Sequence, residues 1–325
     1  MTRTHAAGLP GEPSIGSRDV GELHALLEGR GLWLDIGAAT VHVRSRSRHF
    51  AAQLRTVYAH LPLVTAGEFA DVALELGPAR GLRRWLRPQV LMYCDGRQPF
   101  EPFPADSPLP LFEWGCNWQI AHRLNDLLLL HAGALERDGL TLLLPAMPGS
   151  GKSTLTAALS QRGWRLLSDE FGALDLGQGV FRALLKPIGL KNHSIEVIRE
   201  FAPQAVFGPE FPQTRKGRVA HLAAGANAAV RRHESARPGA VVLPQWRAGS
   251  PTLWQPLSED AAFRALAFNA FNYTVLGELG FRAVVQLVRS CPAWQLVYSD
   301  LDDALRTIDA AWPEVRARHA PQPAS

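Results

Sequence analysis

The sequence predicts an α/β chain of two domains, the second built around a phosphate-binding loop. Three observations carry that expectation. The chain has 325 residues, 46% apolar and 20% charged, which suits two globular domains. Two apolar runs, Leu127 to Ala134 and Leu140 to Leu144, flank Asp138-Gly139, which argues a tight antiparallel hairpin. A glycine-bearing loop and a helix follow the second run directly.

Composition excludes several function classes. There are 34 basic and 30 acidic residues, a formal net charge of +4. The bases are scattered, with no basic arm, so no nucleic-acid partner is expected. The longest strongly apolar stretch is far short of the ~20 residues that span a bilayer, so no membrane partner is expected. Met1 to Asp19 has no apolar core of a secretory signal. Cys94, Cys116 and Cys291 are odd in number and far apart, offering neither a disulfide framework nor a zinc pair. A reduced, cytoplasmic protein is expected. Only four of the bases are lysines, Lys152, Lys186, Lys191 and Lys216. A chain that uses Arg for generic cations keeps Lys where a compact ammonium is needed. Lys186 or Lys191 is therefore expected to line the same cleft as Lys152, with an ordinary exposed loop position as the competing reading.

In order along the chain, residues 1–20 read as a disordered leader and 21–110 as a small α+β domain. Leu32 to Val43 has strand character. His49 to Leu61 places Phe50, Leu54, Val57, Tyr58 and Leu61 at helical spacing. Phe69 to Leu76 and Gln89 to Tyr93 read as strands, and Asp95-Gly96 as a turn. Pro99 to Pro110 holds five prolines and reads as a linker. Residues 111–316 form the expected ATP-binding domain, and 317–325 a disordered tail. Glu113 to Trp118 opens a helix running to about Asn125. Trp114 and Trp118 share one of its faces and read as packing aromatics.

The loop Ala146-Met147-Pro148-Gly149-Ser150-Gly151-Lys152-Ser153-Thr154 matches G-x-x-x-x-G-K-[ST] except at Ala146, a mild change if that position takes negative φ. Gly149 and Gly151 let backbone N–H groups curl around a phosphate. Ser153 to Arg162 is a good helix, stopped by Gly163, and its N-terminus favours an anion. Lys152 is expected to reach the β- and γ-phosphates of ATP, and Ser153 to hold Mg2+. Asp169 follows Lys152 by 17 residues, at the end of the short strand Arg165 to Ser168. That spacing suits a small kinase, whose acid acts on a substrate hydroxyl and on Mg2+, better than the larger ATPases. A solvated turn is the competing reading of Asp169. His131 ends the Leu127 to Leu130 run, beside the strand that feeds the loop. It reads equally as a satisfied structural histidine or a site residue.

The run from Leu127 to Glu170 resembles the C-terminal domain of bacterial HPr kinase/phosphorylase, whose fold is shared with phosphoenolpyruvate carboxykinase. His131, Lys152, Ser153 and Asp169 match that family's site positions. The whole chain looks like the HPr-kinase-related kinase A group, through Glu113-Trp114-Gly115-Cys116-Asn117-Trp118. The close match covers about residues 111–195. The resemblance implies an HPr-kinase-like core and a protein or peptide Ser/Thr acceptor, and leaves a homo-oligomer open. Two stretches depart from the family. Leu184-Leu185-Lys186-Pro187-Ile188-Gly189 lacks the metal-binding Glu, which counts against phosphorylase chemistry, and Glu170 is the substitute metal ligand. Lys216-Gly217-Arg218 has Lys where the family has Pro, and Arg218 is the candidate site arginine. The expected function is an ATP- and Mg2+-dependent serine kinase using Asp169, His131, Lys152 and Arg218. The alternatives are a non-catalytic ATP-binding sensor or scaffold, and a small-metabolite P-loop kinase.

Overall fold

The computed structural model describes residues 13–64, 69–79, 86 and 88–320. A 3-10 turn at Ile15–Ser17 leads into α1 (Val20–Glu28), β1 (Leu32–Asp35), β2 (Thr40–Ser45) and α2 (Arg48–Val57). Next come β3 (Val72–Pro78), β4 (Gln89–Tyr93), β5 (Phe103–Pro104) and α3 (Pro108–Arg123). β6 (Leu127–Arg137), β7 (Leu140–Pro145), α4 (Lys152–Gln161), β8 (Arg165–Ser168) and β9 (Phe171–Asp175) follow. Then come β10 (Phe181–Arg182), β11 (Ile188–Lys191), α5 (His193–Phe201), β12 (Phe211–Thr214), β13 (Gly217–Leu222) and α6 (Ala226–Val230). The remainder holds β14 (Arg237–Trp246), β15 (Leu253–Pro256), α7 (Glu259–Phe268), α8 (Tyr273–Leu276), α9 (Glu278–Ser290), β16 (Ala293–Tyr298) and α10 (Leu301–Arg318). No described helix is long and apolar enough to cross a membrane.

This mixed α/β fold divides into two compact units. The first takes the chain up to Leu124, with Leu184–Arg199 and Gln204–His233. The second takes Asn125–Ala183, Glu200–Pro203 and the chain from Glu234. The expected boundary near residue 110 falls inside α3, which belongs to the first unit. Proline is tolerated in a first helical turn, so the proline-rich stretch ends as a helix start at Pro108 and Pro110. Phe112 packs edge-on against Phe50 and Tyr58. Trp114 and Trp118 pack on Phe100, and Trp114 also on Phe103.

The first unit contains a five-stranded sheet, β1-β2-β3-β4-β5, parallel only between β2 and β3. The strand-like run from Leu32 to Val43 folds as a hairpin of β1 and β2. Gly37 takes a φ of 105°, and the Asp35 carboxylate accepts its N–H at 3.1 Å. α2 forms over most of the expected helix but ends at Val57, four residues short of Leu61; it buries Phe50, Leu54 and Val57 and is capped by the Ser47 hydroxyl. Asp95 and Gly96 have φ of 50° and 74° in the expected turn. Residues 13–20 are ordered, contrary to the expected disordered leader. Ile15 is fully buried and its N–H bonds to the Leu61 carbonyl. An apolar side chain anchored beside α2 and the residues that follow it outweighs the polar composition around it. α10 likewise runs to Arg318, inside the expected tail. The rest of those two expectations, residues 1–12 and 321–325, lies outside the described residues. A three-stranded sheet, β11-β13-β12, completes the first unit.

The second unit is built on an eight-stranded mixed sheet, β10-β9-β6-β7-β14-β16-β15, with β8 also on β6. β6 and β7 form the expected antiparallel hairpin, with Asp138 and Gly139 at φ of 57° and 75°. β7, β14 and β16 run parallel, and all six residues of β7 are buried, as a central strand requires. Because β8 is antiparallel to β6, it points the same way as β7. The carboxyl ends of β7, β8, β14 and β16 therefore gather at one edge of the sheet. α10 closes the opposite end: Trp312 meets Trp164 at 4.5 Å and donates to Asp138.

Candidate functional site

Connections leaving the carboxyl ends of parallel strands are where α/β folds hold ligands. β7 leaves the sheet at Pro145 and continues through Ala146 to Gly151 into α4. Gly149 and Gly151 both have φ of 87°, which disfavours any side chain. At Gly151 space forbids one as well. A Cβ there would lie 2.6 Å from the Tyr298 hydroxyl and 2.9 Å from the Trp246 Cβ. Ala146 is not among the residues with positive φ, so the one departure from the motif is conformationally ordinary.

The loop's carbonyls are turned toward protein donors. Ser150 accepts from the Trp246 N–H at 2.8 Å, and Gly151 from the Tyr298 hydroxyl at 3.2 Å and the Leu155 N–H at 2.9 Å. Burial pushes the Tyr298 phenol well above its ordinary range, so it stays a neutral donor. Within the loop, the Ser150 N–H donates to the Met147 carbonyl at 3.2 Å. The first N–H groups of α4, on Lys152, Ser153 and Thr154, have no intrahelical acceptor, and Gly151 supplies no side-chain cap. The Ser150 hydroxyl is buried without a hydrogen-bond partner.

Asp169 and Glu170 occupy the break between β8 and β9, which pair successive stretches of β6. The Ser168 hydroxyl closes this break, accepting from the N–H of Glu170 at 3.3 Å and Phe171 at 3.1 Å. Lys152 and Asp169 are both nearly buried. The Lys152 ammonium donates to the Asp169 carbonyl and lies 3.6 Å from its Oδ1. That Oδ1 has no hydrogen-bond partner. His131 on β6 faces the same break, with Nε2 3.6 Å from Glu170 Oε1. Its backbone N–H is held by the Asn269 carbonyl at 2.6 Å, and its ring sits 5.4 Å from Phe271. Where β7 departs, the segment from Asn269 to Asn272 takes its place beside β6, fixed by the buried Asn272 side chain on Leu127 and Leu129.

The fold thus brings together Ala146 to Thr154, Asp169, Glu170 and His131 within the second unit. The other predicted residues lie in the first. Arg218 on β13 pairs with Glu196 and Glu210, and its guanidinium also reaches the Asn192 carbonyl. Lys186 is buried against Glu113 at 3.1 Å and the Asn117 side chain, while Tyr58 donates to Glu113 at 2.6 Å. The Glu-Trp-Gly-x-Asn-Trp stretch therefore acts as a clamp on the Lys186 ammonium. Lys191 is exposed on β11, and Lys216 lies 5.2 Å over the Trp114 ring.

Sequence reasoning missed Trp246 and Tyr298. Each is the last aromatic of an apolar, strand-like run, and that position at a sheet's carboxyl edge was the available signal. Among the described residues, no group of three or more His, Cys, Asp or Glu forms a metal cluster. No protein-family model matches the chain, and no curated protein matches it closely enough to indicate kinship.

Proposed function

We propose that the protein is an ATP- and Mg2+-dependent kinase that phosphorylates a Ser or Thr hydroxyl of a protein or peptide. The observation that carries this reading is the buried Lys152–Asp169 pair beside a glycine-bearing loop and the uncapped start of α4. The loop amides and Lys152 bind and orient the phosphates and offset charge on the transferred phosphoryl oxygens. Asp169 Oδ1, which has no hydrogen-bond partner and faces the Lys152 ammonium at 3.6 Å, accepts the acceptor hydroxyl's proton as the new O–P bond forms. The bond between the γ-phosphorus and the bridging oxygen breaks, and ADP leaves. His131 acts through Glu170, holding that carboxylate in place.

Ser153, Asp169 and Glu170 would hold Mg2+, which offsets phosphate charge when bound. The fit is with a shared ion. Mg2+ commonly takes one or two carboxylates plus substrate phosphates rather than an all-protein cage. Asp169 Oδ1, buried without a hydrogen-bond partner, is a donor atom such an ion would use. The antiparallel β6–β7 pair counts against a small-metabolite kinase, whose loop strand lies in a parallel sheet. The test is transfer from γ-labelled ATP to a panel of Ser- and Thr-containing peptides and proteins, beside ATP binding alone. Labelled acceptor supports the kinase. Tight ATP binding with no transfer to any acceptor supports a nucleotide sensor.

A further inference from the structure

The acids and the half-exposed Trp246 stand on opposite flanks of the loop. Asp169 follows β8, on the far side of β6 from the loop strand, and Trp246 ends β14 on the other side. Lys152 marks the acid flank as the place of a terminal phosphate. A polyphosphate lying along the loop then runs from there toward β14. From β8 to β14 is three strand spacings, about 14 Å. That is comparable with the length of a triphosphate and its ribose.

Trp246 waits at that distance in a fixed pose. Its backbone N–H bonds to Ser150 in the loop, and its indole Nε1 donates to the Ser299 carbonyl at 3.2 Å. Its Cβ lies against Gly151. Yet 48% of the residue stays exposed, so core packing does not explain a tryptophan here. An anchored indole with an open surface beside a phosphate loop is a stacking platform. We infer that Trp246 stacks on the base of the bound nucleotide and favours purine nucleotides, whose larger rings overlap an indole better. The inference rests on the nucleotide reading of the loop.

Calorimetric titration of ATP, CTP and inorganic tripolyphosphate separates the two. Trp246→Ala should bind ATP about tenfold more weakly or worse, the fold-change that base–aromatic stacking carries, and bind tripolyphosphate as the wild type does. Trp246→Phe should recover most of the ATP affinity, and wild type should prefer ATP to CTP. A loop merely propped by Trp246 would lose ATP and tripolyphosphate together, which overturns the stacking role. Unchanged ATP affinity in Trp246→Ala overturns it too, while leaving the phosphate loop intact. Failure of wild type to bind either ATP or tripolyphosphate overturns the nucleotide reading, and the stacking role with it.

Discussion

Lys152 and Asp169 are each nearly buried, so each is the main charge partner of the other. Removing one leaves the other's charge uncompensated in a dry place. Lys152→Ala should therefore abolish ATP binding and also weaken folding. Lys152→Arg should fail as well, because a planar fork does not fit where a compact ammonium sits. Calorimetry with ATP tests both, and wild-type affinity in Lys152→Ala would defeat the phosphate-loop reading. Asp169→Asn keeps the shape and removes the base. It leaves the Lys152 charge unpaired, so it should lower stability, still bind ATP measured without Mg2+, and lower transfer by about 10²–10⁴-fold. His131→Ala should be milder, because His131 lies beside the Glu170 carboxylate rather than in the role of base. Transfer by Asp169→Asn at the wild-type rate would remove Asp169 from the role of base. These residues were legible because the loop, its lysine and the acid lie within one local stretch of sequence. Trp246 and Tyr298 reach the same loop from strands far along the chain, and no local spacing encodes that approach.

At the scale of elements, the loop and the α3 clamp make contrasting predictions. Gly149 and Gly151 share the same φ, so alanine strains both by about 1 kcal/mol. Only at Gly151 would the new Cβ strike Tyr298 and Trp246, while the space at Gly149 is open. Gly151→Ala should thus lower stability and ATP affinity clearly more than Gly149→Ala. Equal losses in denaturant melts and titrations would mean that the loop is not pressed against β14 and β16 as described. On α3, Lys186→Ala leaves the buried Glu113 carboxylate without its cation, although the Tyr58 hydroxyl still donates to it. The expected cost is about 3–5 kcal/mol, read by urea unfolding. A loss below about 1 kcal/mol would show that the clamp is incidental. Elements with local punctuation, such as the Asp138-Gly139 hairpin and α2, were readable from sequence. α3 was misjudged at its start because prolines that usually end structure here occupy the first turn. The rarity of Lys186 marked it as special, and its Glu113 partner lies 73 residues earlier on another element, which no local spacing announces.

For the whole molecule, the least legible feature was the chain's return. Leu184–Arg199 and Gln204–His233 rejoin the unit formed by the first 124 residues, a division that no composition shift announces. That return brings His221 on β13 into the buried polar cluster of Glu113 and Lys186, and it sets an acid limit on folding. His221 is 4% exposed and its Nδ1 has no hydrogen-bond partner. Burial pushes its pKa down to about 4; the Glu113 carboxylate opposes the shift and the Lys186 ammonium reinforces it. The native protein thus refuses a proton that the unfolded chain accepts near pH 6.5. Between those two values the unfolded state binds more protons, so stability falls as the pH drops from 6.5 toward 4 and is unaffected by this group above 6.5. The full loss is on the order of 3 kcal/mol. Carboxylates with lowered pKa add their own acid losses, so the isolating comparison is with His221→Gln, which cannot be protonated. Urea unfolding at about pH 7 and about pH 4.5 should show a smaller drop for the variant than for wild type. A drop of the same size in both would mean that His221 takes up its proton in the folded state near its ordinary pKa, and that the polar cluster is open to water.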